Sequence, residues 1–264
     1  MCNNAPMSTT AVRQRLDQAL VERALAPSRE RAQALIASGL VEVDGGAARS
    51  ASMQVTAATR VRVVGRDHPW ASRGGLKLDT ALDALGIACR GRICLDAGAS
   101  TGGFTDVLLA RGAHLVYAVD VGHGLMDARL ASDSRVHVLD RTNLRTLQSV
   151  PGPSPDLVTL DLSFISLRLV MPAVVNLAAR PADVIALFKP QFELGRDAVG
   201  RGGVVRDTSL ARAGADQFLQ WVSETFGARV AHAPLPAAVR GAKGNQEWIT
   251  HVRLDGEDVT ELGI

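Results

Sequence analysis

Lysine is rare in this sequence, and one of its positions is suited to proton chemistry. Only three of the 29 basic residues are lysines, namely Lys77, Lys189 and Lys243, and the other 26 are arginines. An arginine would supply positive charge equally well, whereas a lysine ammonium can lose its proton when it is desolvated. Lys189 ends the apolar run VIALFK and precedes a proline. We therefore expect Lys189 to take part in proton transfer.

Three further residues could act together with Lys189. Lys77 lies where a predicted helix begins, Asp161 ends an apolar strand-like run, and Glu247 begins the last such run. Two ammonium and two carboxylate groups around one crevice suit the transfer of a methyl group to a hydroxyl oxygen. One lysine can act as the base or orient the oxygen, while the carboxylates position both lysines and balance their charge. The predicted catalytic set is Lys77, Asp161, Lys189 and Glu247.

A glycine-rich segment, DAGASTGGFT at 96–105, follows a strand-like run and should open a helix. Its glycines allow a ligand to approach the backbone, and the start of a helix favours a negative group. The dinucleotide fingerprint G-x-G-x-x-G is absent, which disfavours a nicotinamide-dependent dehydrogenase. S-adenosylmethionine fits better, because Asp96 can meet its ammonium and Asp120 its ribose hydroxyls; a purely structural turn is the alternative. The predicted cofactor-binding residues are Asp96, Gly98, Ser100, Thr101, Gly102, Gly103, Phe104, Asp120, Thr142 and Asn143.

The order of the apolar runs predicts the scaffold that positions these residues. Strand-like runs alternate with helical patterns after residue 74, which indicates a Rossmann-like α/β domain with a parallel sheet covered on both faces. Ligands bind beyond the carboxyl ends of such strands, where five polar residues fall. These residues are Asp96, Asp120, Asp140, Asp161 and Lys189. The runs are 93–98, 115–120, 136–140, 157–162, 184–189, 228–234 and 247–254.

The amino-terminal part of the chain is more basic than the rest. Residues 1–66 contain nine arginines and five acidic residues, whereas residues 67–264 contain 20 basic and 22 acidic residues. A basic module beside a near-neutral body suits contact with nucleic-acid phosphates. We divide the chain into a flexible tail, an α+β module, a linker and a catalytic domain. Their ranges are 1–12, 13–66, 67–73 and 74–264.

The basic module is predicted to contain two short helices followed by strands. The first helix would place Leu16, Ala19, Leu20 and Ala24 on one face. The second would begin after Ser28 as its N-cap residue and end before a glycine. Its apolar face is formed by Ala32, Leu35 and Ile36, and the glycine is Gly39.

Composition excludes several classes of protein. The three cysteines, Cys2, Cys89 and Cys94, have no metal-type spacing and predict a cytoplasmic location, and no histidine pattern predicts a metal site. The longest apolar region, 157–179, is interrupted by charged residues and a proline, so no membrane span is expected. Aromatic residues make up 4% of the chain, which disfavours an extended base-stacking platform, so contact with a nucleic acid should depend on arginine–phosphate contacts and shape.

Several motifs together resemble the TlyA family of ribosomal-RNA 2′-O-methyltransferases, also called haemolysin A. They are SRGGLKL, LDAGASTGGFT, DVGHG, DRTN, DLSFISL, KPQFE, GGVVRD and NQEW, preceded by RLDQALVERALAPSRERAQALIASGLVEVDG. The resemblance covers about residue 13 to residue 254. It implies an S4-like RNA-binding domain before an FtsJ-like catalytic domain, and a Lys-Asp-Lys-Glu tetrad that falls on the predicted catalytic set. It also implies RNA contacts by Arg13, Arg15, Arg29, Arg73 and Arg145.

The resemblance implies S-adenosylmethionine-dependent 2′-O-methylation of a cytidine in ribosomal RNA. The tail after HVRL is short, which in this family favours the large subunit alone. The expected partners are ribosomal RNA or ribosomal subunits, with no DNA and no membrane span, and a monomer is favoured. Two alternatives stay open from the sequence: a membrane-active haemolysin, and a ribosome- or RNA-binding protein without catalytic activity.

Overall fold

The computed structural model describes residues 13–26, 28–37, 39–64, 68–241 and 243–256. The chain forms two compact units, Met1–Pro69 and Trp70–Ile264, and the boundary in the chain falls within the segment predicted as the linker. The predicted flexible tail, 1–12, and the last eight residues, 257–264, lie outside the described residues.

The first unit combines two short helices with two small sheets. Its elements are β1 (Gln14–Arg15), α1 (Leu16–Glu22), α2 (Arg29–Ala37), β2 (Val41–Val43), β3 (Gly46–Ala47), β4 (Gln54–Val55) and β5 (Val61–Val63). Strand β2 pairs antiparallel with β3 and β5, and β1 pairs antiparallel with β4. Ser28 caps α2 by accepting a hydrogen bond from the N–H of Arg31, and Gly39 beyond the helix has a φ of 70°. The small α+β fold predicted for this part is confirmed.

Helix α1 is shorter than predicted, and the reason is a turn after Glu22. Ala24 was expected on the buried face, but it has a φ of 55° and is exposed. This left-handed residue reverses the chain, so that the N–H groups of Leu25 and Ala26 both bond to the carbonyl of Leu20, at 2.8 and 3.1 Å. Ala26 therefore takes the place in the core that Ala24 was predicted to fill.

The second unit is built on one sheet of seven strands, in the order β11-β12-β10-β9-β6-β7-β8. Each of the seven strand-like runs predicted from the sequence forms one of these strands. The elements are α3 (Gly74–Leu85), β6 (Ile93–Ala97), α4 (Gly103–Ala110), β7 (Leu115–Val119), α5 (Ala128–Ala131), β8 (Val136–Leu139), β9 (Leu157–Leu160), α6 (Met171–Leu177), β10 (Ala182–Phe188), α7 (Pro190–Glu193), α8 (Thr208–Phe226), β11 (Arg229–Pro236) and β12 (Trp248–Leu254).

The sheet is mixed, although a parallel sheet is predicted from the sequence. Five strands from β8 to β10 run parallel, but β12 is antiparallel to both β10 and β11. A parallel neighbour requires a long crossover connection, whereas the described residues between β11 and β12 form only a loop. Trp248 at the start of β12 therefore pairs with Phe188 at the end of β10. This reversal brings Glu247 to the carboxyl edge of the parallel strands.

Side chains of the strands alternate between two hydrophobic cores. In β10, Val184, Ala186 and Phe188 contribute to one core, while Ile185 and Leu187 contribute to the other. This period of two is expected of a strand that is buried on both faces. Helices α6 and α8 pack against the first core, and α3 and α4 against the second. The three-layer architecture confirms the Rossmann-like fold and fixes the strand ends that carry the site.

Candidate active site

The carboxyl ends of the strands border a cleft of about 530 Å³, and the whole predicted catalytic set lies in its wall. Lys77 comes from α3, Asp161 follows β9, Lys189 follows β10, and Glu247 precedes β12. The four residues belong to four separate elements, so the tertiary fold alone brings them together.

The four side chains form two ion pairs. Lys77 Nζ donates a hydrogen bond of 2.5 Å to Glu247 Oε2, and the two side chains are 11% and 3% exposed. Lys189 Nζ lies 2.6 Å from Asp161 Oδ1 and donates a hydrogen bond of 3.0 Å to Ser163 Oγ. Asp161 Oδ1 has no hydrogen-bond donor among the described residues, so its contact with Lys189 is an ion pair without hydrogen-bond geometry. An ammonium carries three N–H donors, so both lysines retain at least one for an oxygen in the cleft.

Glu247 is fixed by the loop that precedes it as well as by Lys77. A Cβ atom at Gly241 would overlap Glu247 Oε1, so the backbone of the loop can pass the carboxylate only because this residue is glycine. A buried carboxylate held between a backbone wall and an ammonium has little freedom to move. Glu247 therefore sets the position of Lys77 in the cleft.

The predicted cofactor loop borders both this cleft and a second cleft of about 400 Å³. Gly98 begins the loop with a φ of 82°, and a Cβ there would lie 2.6 Å from the backbone oxygen of Asp161. Asp120 closes the other side, where its carboxylate accepts hydrogen bonds from the N–H groups of Ser100 and Gly122, at 2.8 and 2.7 Å. Each carboxylate oxygen can accept a further hydrogen bond, so Asp120 is both fixed and available.

Eight of the ten predicted cofactor-binding residues line one or both clefts. They are Gly98, Ser100, Thr101, Gly103, Phe104, Asp120, Thr142 and Asn143. Gly102 does not line either cleft; it has a φ of 92° at the start of α4, and a Cβ there would overlap Leu130. Asp96 also lies outside both cleft walls.

Asp96 is completely buried beneath the loop on the side of α4. Its Oδ2 accepts a hydrogen bond of 2.7 Å from the hydroxyl of Thr105, while Oδ1 has no partner within the described part of the chain. Burial raises the pKa of Asp96 to about 7, and the charge of Asp161 acts in the same direction. A buried acceptor without a donor is suited to a cationic ligand group, so the ammonium of S-adenosylmethionine fits this oxygen.

The five arginines predicted to bind RNA are divided between the two units. In the first unit Arg13 is exposed, while Arg15 and Arg29 lie 3.0 and 3.2 Å from the carboxylate of Asp17. The hydrogen bond from Arg15 holds the pKa of Asp17 well below its usual range despite complete burial. The two guanidiniums stay about half-exposed and keep donors for phosphates. In the second unit Arg73 and Arg145 are both exposed.

Lys243 is not among the predicted site residues, yet it lines the same cleft as Lys77 and Lys189. All three lysines of the chain therefore face one cleft. The signal in the sequence is the rarity of lysine itself, which applies to Lys243 as much as to the other two.

An exposed aromatic side chain also borders the cleft. Phe164 is 90% exposed and has a φ of 64°. The centroid of its ring lies 5.1 Å from the ring centroid of Phe192. Phe104, by contrast, is almost fully buried in the core beside α4. Phe164 thus offers a free apolar face at the cleft, and Phe104 mainly supports the loop.

Two features that are absent from the described residues bear on other classes of function. Among the described residues no group of histidine, cysteine, aspartate or glutamate side chains is arranged to hold a metal ion. No helix in the described part of the chain is long and apolar enough to cross a membrane. Cys89 and Cys94 are both buried and not disulfide-bonded.

Comparison with known proteins gives matches over both units. Residues 70–253 match the FtsJ-like methyltransferase family, and residues 14–61 match the S4 domain. The chain is 48% identical over 251 residues to the 16S/23S rRNA (cytidine-2′-O)-methyltransferase TlyA of Mycobacterium tuberculosis, which covers 92% of this chain and 91% of that protein. It is 34% identical to Hemolysin A of Brachyspira hyodysenteriae, over 90% of this chain and 98% of that one. A solved structure from Streptococcus thermophilus, provisionally described as a hemolysin, superposes with a TM-score of 0.74 at 33% identity and covers 92% of this chain and 89% of that one.

Proposed function

Because the chain belongs to the TlyA family, which joins an S4 domain to an FtsJ-like methyltransferase domain, we propose that it methylates the ribose 2′-oxygen of a cytidine in ribosomal RNA. The observation that carries this proposal is the pair of lysine–carboxylate contacts in one cleft beside the glycine-rich loop. The Mycobacterium tuberculosis relative is named for this reaction, and it matches the chain over both units.

S-adenosylmethionine is the methyl donor of this class of enzyme, and when bound it supplies an electrophilic methyl group on a sulfonium centre. Asp120, Thr142 and Asn143 line the second cleft and are suited to its ribose and adenine. The loop that begins at Gly98 offers backbone N–H groups to its carboxylate. The unpaired Oδ1 of Asp96 is suited to its ammonium. Residues of this chain are thus suited to the ribose, the adenine, the carboxylate and the ammonium of the cofactor.

The cleft with the two ion pairs is suited to the acceptor oxygen. The proton of the 2′-hydroxyl must leave as the new carbon–oxygen bond forms. Lys189 can accept this proton after its ammonium has released one to solvent, and Asp161, 2.6 Å away, stabilises the ammonium that forms again. Lys77, held by Glu247, donates a hydrogen bond to the same oxygen and orients it. Holding the oxygen in the reactive geometry contributes much of the rate.

Recognition of RNA would combine arginine–phosphate contacts with extrusion of the target nucleotide. The first unit is the basic part of the chain, and its exposed arginines suit phosphates. A ribose inside a helix cannot reach a cleft, so the nucleotide must be flipped out. The free face of Phe164 beside the cleft can stack on the extruded base. A ribosomal substrate would be encountered in the cytoplasm, which is the location that the use of cysteine predicts.

The test is methyl transfer from labelled S-adenosylmethionine to purified small and large ribosomal subunits, supplied separately, followed by mapping of 2′-O-methylated nucleotides. We expect label on a cytidine ribose, with large-subunit RNA as the substrate predicted from the sequence. Label on both subunits would support the proposed reaction and contradict the large-subunit preference. The name of the Mycobacterium tuberculosis relative includes the RNAs of both subunits. Absence of label on either subunit, with the cofactor bound, would refute the proposed function.

A further inference from the structure

Lys243 differs from the other two lysines of the cleft in having no acidic partner. Lys77 and Lys189 each contact a carboxylate within 2.6 Å, whereas Lys243 is exposed and forms no ion pair with any residue that the structure describes. The carboxylates among the residues that line the cleft are those of Asp161 and Glu247, and each already contacts one of the other two lysines. The ammonium of Lys243 is therefore left for a ligand.

The position of Lys243 is set by two loops that are bound to each other. Asn245, which is 1% exposed, accepts a hydrogen bond of 2.8 Å from the N–H of Val205 and donates one of 2.9 Å to the carbonyl of Gly203. The Lys243 side chain lies across Gly203, where a Cβ would be 3.5 Å from Nζ. The ammonium thus rests on an open glycine surface in a fixed turn, and it is not on a free tail.

The same turn is connected directly to the catalytic set. Gly244 N–H bonds to the carbonyl of Gly241 at 2.8 Å, and Gly241 is the residue whose backbone passes against Glu247. Lys243 therefore lies two residues from the backbone that fixes Glu247, in the wall of the same cleft. A substrate that places its ribose oxygen at Lys77 and Lys189 has its neighbouring groups in or beside this cleft.

The chemistry of an RNA acceptor supplies the missing negative charge. A ribose within a strand carries a phosphodiester on C3′, the carbon next to the one that bears the 2′-oxygen, and each phosphodiester has one negative charge. The carboxylate of the cofactor is the less suitable partner, because the backbone N–H groups of the glycine loop already match it. Lys243 also does not line the second cleft, where Asp120 and Asn143 lie. A lysine ammonium is a compact charge that binds phosphate oxygens without a fixed orientation. We propose that Lys243 binds the phosphodiester adjoining the target ribose and so positions the 2′-oxygen in the cleft.

This inference rests on the proposed function and can be tested apart from it. Lys243→Ala and Lys243→Arg are compared with the wild type in binding of purified ribosomal subunits over a series of salt concentrations. Arg90→Ala is the matched control, because Arg90 is also exposed but precedes β6, and so lies at the amino ends of the parallel strands, whereas the cleft lies at their carboxyl ends. Affinity for S-adenosylmethionine, kcat, KM for the subunit and the thermal midpoint are measured for each protein.

Loss of one phosphate contact has a defined signature. We expect Lys243→Ala to weaken subunit binding about 5- to 8-fold at 0.1 M salt, and to reduce the slope of log K against log salt by about 0.7 to 0.9. We expect its KM to rise, its affinity for S-adenosylmethionine to stay unchanged, and Lys243→Arg to retain most of the binding.

Two results would overturn the role of Lys243. One is a Lys243→Ala variant whose salt slope equals that of the wild type and of Arg90→Ala; the other is a loss of cofactor affinity without a change in the slope. Methylation by the wild type together with either result would refute this inference alone. A wild type that neither binds nor methylates a subunit would refute the proposed function and this inference with it.

Discussion

Asp96 destabilises the cofactor-free protein, and the size of the effect follows from its burial. The side chain is completely buried, Oδ1 has no donor among the described residues, and burial raises the pKa from 3.8 to about 7. A shift of about three units at about 1.4 kcal/mol per unit corresponds to about 4 kcal/mol. Because the pKa is higher in the folded state, the native state binds the extra proton. Stability is therefore lost as the pH rises from about 4 to about 7.

Replacement Asp96→Asn removes the charge and keeps the shape. The amide oxygen can still accept the hydrogen bond from Thr105, but the amide nitrogen lacks an acceptor, at a cost of about 1 to 3 kcal/mol. We expect the variant to gain about 1 to 3 kcal/mol in free energy of unfolding at pH 8, and no gain at pH 4. We also expect it to bind S-adenosylmethionine at least about tenfold more weakly at pH 8, because the ammonium loses its buried partner.

The assay combines urea unfolding of both proteins at pH 4 and pH 8 with calorimetric titration of S-adenosylmethionine. Binding to the wild type should weaken below pH 7, because the ligand must displace a proton from Asp96, whereas binding to Asp96→Asn should lose this pH dependence. Equal stability of the two proteins at pH 8 would contradict the argument from burial. Unchanged cofactor affinity in the variant would contradict the role given to Oδ1.

Three further variants test separate parts of the site. Lys189→Arg keeps the charge beside Asp161 but cannot release a proton, so we expect single-turnover methyl transfer to fall at least about 100-fold with binding of cofactor and RNA intact; a wild-type rate would exclude proton transfer by Lys189. Glu247→Gln leaves the ammonium of Lys77 without a carboxylate, so the free energy of unfolding measured in urea should fall by about 3 to 5 kcal/mol. A fall of less than about 1 kcal/mol would show that the pair is not buried in solution. Asp120→Ala leaves two backbone N–H groups unpaired and removes the acceptor for the ribose hydroxyls, so affinity for S-adenosylmethionine should fall at least tenfold with subunit binding unchanged; retained affinity would place the cofactor elsewhere.

The strands and most of the site could be predicted from the sequence, because their signals are local. Apolar runs with a polar residue at the end predict both a buried strand and a functional strand end, and Asp120, Asp161 and Lys189 follow this pattern. The wall of the cleft beside the glycine loop is predicted equally well, because its residues are contiguous in the chain.

The remaining features depend on contacts that are distant in sequence. The reversal of β12 is set by the loop before it and by pairing with β10, and no local pattern distinguishes a parallel from an antiparallel edge strand. The burial of Asp96 depends on the packing of α4 over the loop. Ala24 follows the helical pattern of α1, but the turn after Glu22 removes it from the buried face. Lys243 lies in a polar loop that the fold brings to the cleft.

The most direct measurement of the central claim is single-turnover methyl transfer to ribosomal subunits by Lys77→Ala, Asp161→Ala, Lys189→Ala and Glu247→Ala, with Arg90→Ala as the folded control. We expect each of the four to lose at least about 100-fold in rate, while S-adenosylmethionine still binds and the control keeps the wild-type rate. A folded variant among the four that transfers methyl groups at the wild-type rate would show that the chemistry does not depend on these two ion pairs.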